Sequence, residues 1–253
     1  MQVFALPPLP EVRPGDDLAG LIVAAWQSAI AEDAALAPRE SDVLVVTQKV
    51  VSKAEGRVVD LNTVTPRSAA VEFAARWDRD PRQVEVVLRE STDVLRMERG
   101  IIVSRTSHGF VCANAGVDAS NTGADDVVTL LPVDPDASAR RLRDRFGEAF
   151  GVAPAVVISD SFGRPWRFGI VDVALGVAGF VPLDDMRGQS DADGRQMNAT
   201  IVAVADQIAS AAELVTGKTA RLPLALVRGA TLPEGDGSIV GDVVMPVEMD
   251  LFK

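Results

Sequence analysis

Apolar residues recur at helical spacing through LAGLIVAAWQSAIAED, and Asp16 and Asp17 stand where a cap belongs, so a helix is expected from Leu18 to near Ala34. The run Val43 to Thr47 is short, β-branched and unbroken, the pattern of a strand buried on both faces. The stretch that follows it, QKVVSKAEGR, is polar and basic. Residues 66–99 read as helical, with Pro66 near one start, Asp80-Pro81 opening a second helix through PRQVEVVLRES, and Gly100 as the stop. IIVSRT and GFVCANAG predict a hairpin around Ser107-His108-Gly109, followed by a polar loop over 117–127. Pro135 to Phe150 reads as a further helix. Ala155 to Ser159 is a second buried strand, expected to deliver Asp160 and Ser161 into a glycine-containing turn, Phe162 to Pro165. Ala199 to Val215 is apolar enough to be buried all round, and its two charges, Asp206 and Glu213, share one helical face. LPLALVRG and VVMPVEM are strand-like. Strands and helices mix without strict βαβ alternation, so the expected class is α+β, with mixed sheets and packed helices.

Composition narrows this picture. With 253 residues, 47% hydrophobic and 24% charged, the chain has the make-up of a globular protein with a sizeable core. One unit over residues 1–253 is expected, with room for two interlocked α+β subdomains. A net charge of -11 and the lack of any Lys/Arg run argue against nucleic acid as a partner. An anionic ligand would need local devices: a few placed cations, backbone N–H groups, or a divalent ion that screens acidic side chains. The single cysteine, Cys112, allows no internal disulfide and no cysteine-based zinc cage, which points to a cytoplasmic protein. The N-terminal sequence has no basic region followed by an apolar run, and no membrane association is expected.

Three polar clusters lie beside apolar strands. The first holds Gln48, Lys49, Ser52, Lys53, Glu55 and Arg57; its lysines suit a polyphosphate, and equally suit a solvated helix start with Lys53 and Arg57 as i,i+4 neighbours. The glycines of a Walker-type phosphate loop are absent. The second, Asp118 to Asn121, sets a carboxylate and an amide three apart, in residues that turns also prefer. The third, Asp160 to Arg167, begins with a carboxylate beside a hydroxyl, Asp160 and Ser161, oxygen donors suited to magnesium or manganese. His108, the one histidine, is a possible acid or base but also an ordinary turn residue, and Cys112 reads as a small core hydrophobe. No G-x-S-x-G elbow supports a Ser-His-Asp hydrolase.

Taken together, LPEVRPGDDL (9–18), VLVVTQKVVSKAEGRVVDL (43–61), VLRES (87–91), HGFVCANAGVDASN (108–121), LLPVDPDAS (130–138), ISDSFGRPWRFG (158–169), RGQSDADG (187–194) and VAVADQIASAAELVTGK (202–218) resemble the coenzyme F420-0:L-glutamate ligases, or gamma-glutamyl ligases. The resemblance runs nearly end to end. It implies an intertwined homodimer of an unusual α+β fold that joins L-glutamate to F420-0 at the expense of GTP, through an acyl phosphate. Leu9, Pro10, Glu11 and Val12, with Gln48, Lys53 and Asn121, match GTP-binding positions, as does the stretch 194–201 with Gly194, Arg195, Met197 and Asn198. Asp118, Asp160 and Ser161 match ligands of two magnesium or manganese ions, with potassium as an activator, and Asp118, Asp160 and Lys53 would carry the catalysis. Where the family pattern has G-x-E with a metal-binding glutamate, this chain has Gly194-Arg195-Gln196; an amide oxygen still coordinates but brings no charge. That departure keeps two other readings open, a ligase for another carboxylate such as a folate and a member that binds nucleotide without turning it over.

Overall fold

The computed structural model describes residues 1–120 and 126–251. Its elements in chain order begin with β1 (Gln2–Ala5), α1 (Leu18–Glu32), β2 (Asp42–Thr47), α2 (Gln48–Ala54) and β3 (Val58–Asp60). Then come α3 (Ser68–Trp77), α4 (Pro81–Glu90), β4 (Ser91–Glu98), β5 (Ile101–Thr106), β6 (Val111–Ala113) and β7 (Val127–Thr129). The second half holds α5 (Pro135–Phe150), β8 (Ala155–Arg164), β9 (Arg167–Ala178), β10 (Asp184–Asp185), β11 (Ile201–Val202), α6 (Val204–Thr216) and β12 (Leu224–Arg228). The class is α+β, as the pattern predicts.

The central sheet runs β1-β12-β2-β8-β9 and is antiparallel except at β2 and β8, which lie parallel. Period-two alternation divides its side chains cleanly. Leu44, Val46, Val156, Ile158, Leu224 and Leu226 face one layer, where they pack with Trp26 of α1, Val51 of α2 and Phe146 of α5. Val43, Val45, Val157, Ala225 and Val227 face the other, against Ile208, Ala209 and Ala212 of α6. With helices on both sides, β2 reads as an unbroken apolar run for the reason its sequence suggested. Close approach of α5 fixes a glycine in β9: a Cβ on Gly176 would lie 2.3 Å from the Pro135 carbonyl carbon. The acids of α6 also have partners, since Asp206 accepts the Ala174 N–H and Glu213 the Asp172 N–H of β9.

A smaller core joins α3 and α4 to the sheet β4-β5-β6 and the pair β3-β7. Here the helix expected through residue 99 stops at Glu90, and Ser91–Glu98 is a strand. Arg99 (φ 55°) and Gly100 (φ 75°) form the two-residue left-handed turn of a hairpin that pairs Glu98 with Ile101, so Gly100 is a hairpin glycine and no helix stop. Two further expectations change. β8 does not end at Ser159; its pairing with β9 continues to Arg164 opposite Arg167, and the turn falls at Pro165-Trp166. VVMPVEM forms no strand: a five-residue π turn, Ile239–Val243, and a 3-10 turn, Val247–Met249, take its place. Asp136, buried at the start of α5, accepts the Ile239 and Val240 N–H groups and so satisfies this segment without a sheet.

Candidate functional site

Parallel strands leave a crevice at their carboxyl ends, where loops diverge to opposite faces of the sheet. Here β2 leaves the sheet into α2 while its parallel neighbour β8 runs on beside β9, and a cleft of about 760 Å³ opens over Thr47-Gln48 and Ser159-Asp160-Ser161. Leu9, Pro10, Glu11, Val12, Gln48, Lys53, Asp118, Asp160 and Ser161 all line it, brought together from four separate stretches of chain. Asn121 lies outside the described residues.

α2 builds one wall. Gln48 is buried and donates to the Leu130 carbonyl at 2.9 Å and to Ser52 Oγ, which locks the first turn of α2 to the chain just past β7. Lys53 reaches Glu11 Oε1 at 2.6 Å and holds the Leu9–Val12 segment against the helix. Lys49 reaches Asp118 Oδ2 at 2.6 Å and also donates to the Ser120 carbonyl. Two other members of the first cluster turn away: Arg57 pairs with Glu90 at 2.6 Å, and Glu55 accepts from Arg141 and Ser138.

Asp118 is placed by a costly backbone. Asn114, Ala115 and Gly116 adopt φ of 53°, 51° and 70°, three left-handed residues in succession, of which only the glycine is at ease. A Cβ on Gly116 would lie 2.6 Å from Leu131 Cδ2, so this turn closes directly onto the core. Asp118 then exchanges backbone hydrogen bonds with Thr129 and accepts from the Ser120 N–H at 2.7 Å. Burial works against its ionisation, but Lys49 and the two Ser120 donors outweigh it and hold its pKa below the ordinary aspartate value.

Asp160 is in the opposite condition. Burial, then the negative fields of Asp172 and Asp118, push its pKa up to about 7, against a hydrogen bond from the Ser161 N–H and the more distant charge of Lys218. Asp172 on β9 was not singled out in the sequence. It is buried, and it accepts from Ser159 Oγ at 3.0 Å and from Ser161 Oγ, so both hydroxyl protons point to it and the Ser161 oxygen keeps its lone pairs for the cleft. No three acidic, histidine or cysteine side chains converge as a closed metal cage among the described residues. Magnesium and manganese do not require one, because they retain waters and take phosphate oxygens alongside one or two carboxylates. Oxygen donors with crowded like charges therefore fit such an ion.

The segment 194–198 does not reach this cleft within one chain. Gly194, Arg195, Gln196, Met197 and Asn198 lie in the loop between β10 and β11, where Asp191 accepts the Arg195 N–H and Gln196 is exposed. His108 stays outside as well: Nε2 lies 2.8 Å from the Pro132 carbonyl, and its ring stacks on Phe110. Cys112 is a core residue whose thiol burial pushes up to about 12, a setting for packing and not for nucleophilic work.

An acid-rich, lysine-flanked cleft at the carboxyl ends of a parallel strand pair, walled by helices on both faces, is the layout of an enzyme acting on a charged small molecule. The comparisons make that class specific. Residues 8–229 match the model of the F420-0:Gamma-glutamyl ligase family, and the chain belongs to that family, a family of ligases. It is 43% identical over 250 residues to the Coenzyme F420:L-glutamate ligase of Methanothermobacter thermautotrophicus, covering 97% of this chain and 96% of that one. It is 47% identical over 220 residues to the protein of the same name from Methanopyrus kandleri, covering 87% and 83%. With the namesake from Methanocaldococcus jannaschii it shares 39% over 215 residues, 85% of each chain. No helix among the described residues is long and apolar enough to cross a membrane.

Proposed function

We propose that this chain joins L-glutamate to coenzyme F420-0 through an amide bond, driven by a nucleoside triphosphate, GTP by resemblance. The relatives' names support the reaction. The observation that carries it here is the gathering of nine residues at nucleotide- and metal-matching positions into one cleft.

A carboxylate does not react with an amine at neutral pH, so the acceptor carboxylate is first phosphorylated and the amine then displaces phosphate. The first step needs positioning and charge neutralisation more than a protein nucleophile. Leu9 to Val12, Gln48 and Lys53 hold the nucleotide, with Lys53 set against a phosphate as a point charge. Asp160, Ser161 and Asp118 would hold two magnesium or manganese ions, which would supply neutralisation of the phosphate oxygens. Asp172 orients the Ser161 hydroxyl. Gln196 is the remaining proposed ligand, and a second copy of the chain would present it, since its loop stands clear of its own cleft. A homodimer also accounts for the β8–β9 hairpin, whose Trp166 and Phe168 are 83% and 104% exposed, an apolar surface that a monomer would leave in water. Potassium remains a proposed activator, and the cytoplasm the proposed location.

Incubation with F420-0, L-glutamate, GTP and manganese, followed by mass spectrometry, tests this reading. The expected result is an acceptor heavier by one or more glutamyl residues, and an unchanged acceptor overturns it. Gln196 beside Arg195 motivates a second reading, another carboxylate acceptor such as a folate. The same incubation with a folate in place of F420-0 separates the two.

A further inference from the structure

Lys49, on the first turn of α2, holds one of the proposed metal ligands. Its ammonium lies 2.6 Å from Asp118 Oδ2 and donates to the Ser120 carbonyl at 2.6 Å and to Ser120 Oγ at 2.9 Å. An ammonium has three protons to donate and no lone pair, so these three oxygens satisfy it in full. Asp118 is almost as fully engaged. Its Oδ1 accepts the Ser120 N–H at 2.7 Å, and its Oδ2 accepts the Ser120 hydroxyl at 2.9 Å as well as the ammonium. A carboxylate oxygen offers two lone-pair sites, and both on Oδ2 are taken.

A divalent ion coming to Asp118 meets this arrangement directly. On Oδ2, at the roughly 2.0–2.2 Å of a magnesium or manganese bond to oxygen, it would stand within about 5 Å of the ammonium, two like charges crowded on one atom. On Oδ1 it would face a carboxylate whose charge the ammonium already cancels. Either way Lys49 and the ion compete for the same negative charge. The pair is open to exchange, because the Lys49 and Asp118 side chains are 20% and 41% exposed and a pair so placed is weakly held. Lys53, on the next turn of the same helix, gives the contrast: it also lies 2.6 Å from a carboxylate, but from Glu11, in the nucleotide-matching segment and outside the proposed metal set.

We propose that Lys49 is an exchangeable counter-ion for Asp118: it holds the carboxylate and the Ser120 turn in place, and a divalent ion entering at Asp118 displaces it. Ion binding is then the exchange of one cation for another, and Lys49 sets its affinity. The assignment deepens the ligase reading and rests on it for the metal. It is tested by calorimetric titration of the full-length chain with manganese, without nucleotide, in wild type, Lys49→Met and Lys53→Met. Methionine keeps the apolar stem and drops the competing charge, so Lys49→Met is expected to bind manganese at least about tenfold tighter than wild type. Lys53→Met removes an equal charge from the same wall without touching Asp118, and in about 0.15 M salt it is expected to gain less than about threefold. A lysine that merely braces the turn predicts the opposite sign, because its loss would loosen Asp118 and weaken ion binding. Where Lys49→Met melts well below wild type, Lys49→Gln, which retains a donor for the Ser120 carbonyl, carries the same expectation. A gain below about tenfold, a loss of affinity, or a gain in Lys53→Met as large as that in Lys49→Met overturns the exchange. Manganese binding to Lys49→Met alone upholds it, and binding to neither chain overturns it. Because no turnover is measured, the two readings fail separately: a chain that shows the exchange but forms no product loses the ligase reading, and one that ligates without tighter binding in Lys49→Met loses the exchange.

Discussion

Asp160→Asn removes a charge that the fold holds at a cost. The carboxyl pKa is pushed from 3.8 to about 7 by burial and by Asp172 and Asp118. Between those values the folded chain keeps the proton and the unfolded chain has lost it, so stability falls as pH rises through this window and is lowest above about 7. The full difference corresponds to about 4 kcal/mol, and relaxation and water entry around the ionised group reduce it, so about 2–4 kcal/mol is expected. Asparagine has the same shape and no charge. Urea unfolding in the presence of a chelator is therefore expected to show Asp160→Asn more stable than wild type by about 2–4 kcal/mol near pH 8, with the gain shrinking toward pH 5. Added manganese should stabilise wild type and leave the variant unchanged, and the variant should not ligate. A variant no more stable than wild type at pH 8, or a gain that does not depend on pH, would refute the electrostatic reasoning.

Three further outcomes follow from particular contacts. Arg228 is buried and meets Asp42 through two hydrogen bonds of 2.8 and 2.7 Å; Arg228→Ala strands a fully buried carboxylate and should cost about 3–5 kcal/mol in urea unfolding at neutral pH, with a smaller loss in Asp42→Asn/Arg228→Met. Lys53→Ala frees the Leu9–Val12 segment from α2 and should raise KM for GTP about ten- to hundredfold, measured by nucleoside diphosphate release. Gln196→Glu adds a charge at the position where the family pattern has one, and calorimetric titration with manganese should show tighter binding; unchanged affinity would remove Gln196 from the metal set.

Elements whose pattern and punctuation agreed were legible in the sequence. α1 begins after Asp17, which accepts from the Gly20 N–H, where the capping residues placed it, and α5 spans Pro135 to Phe150 as the sequence reads. β4 was not legible, because a helical pattern ran into Ser91 and the turn at Arg99-Gly100 shows itself only once the strands pair. The extension of β8 was hidden for the same reason: Asp160 to Arg164 look like a loop until β9 lies beside them. The site was legible through ordered motifs, and nine matched residues line one cleft. Its other half was not. Asp172 and Arg221 belong to no motif singled out and Lys218 only ends one; pairing across the sheet and the path of one loop bring them in. Glu213, a charge in an otherwise apolar helix, was the one available signal.

The central claim is that an acceptor carboxylate is activated by phosphorylation before glutamate attacks it. The most direct test gives the chain F420-0 labelled with oxygen-18 in its free carboxylate, with L-glutamate, GTP and manganese, and follows the label by mass spectrometry. One labelled oxygen from each acceptor that gains a glutamyl residue should appear in the inorganic phosphate released. Amide formation with no label in the phosphate, or phosphate release with no amide formed, contradicts the account.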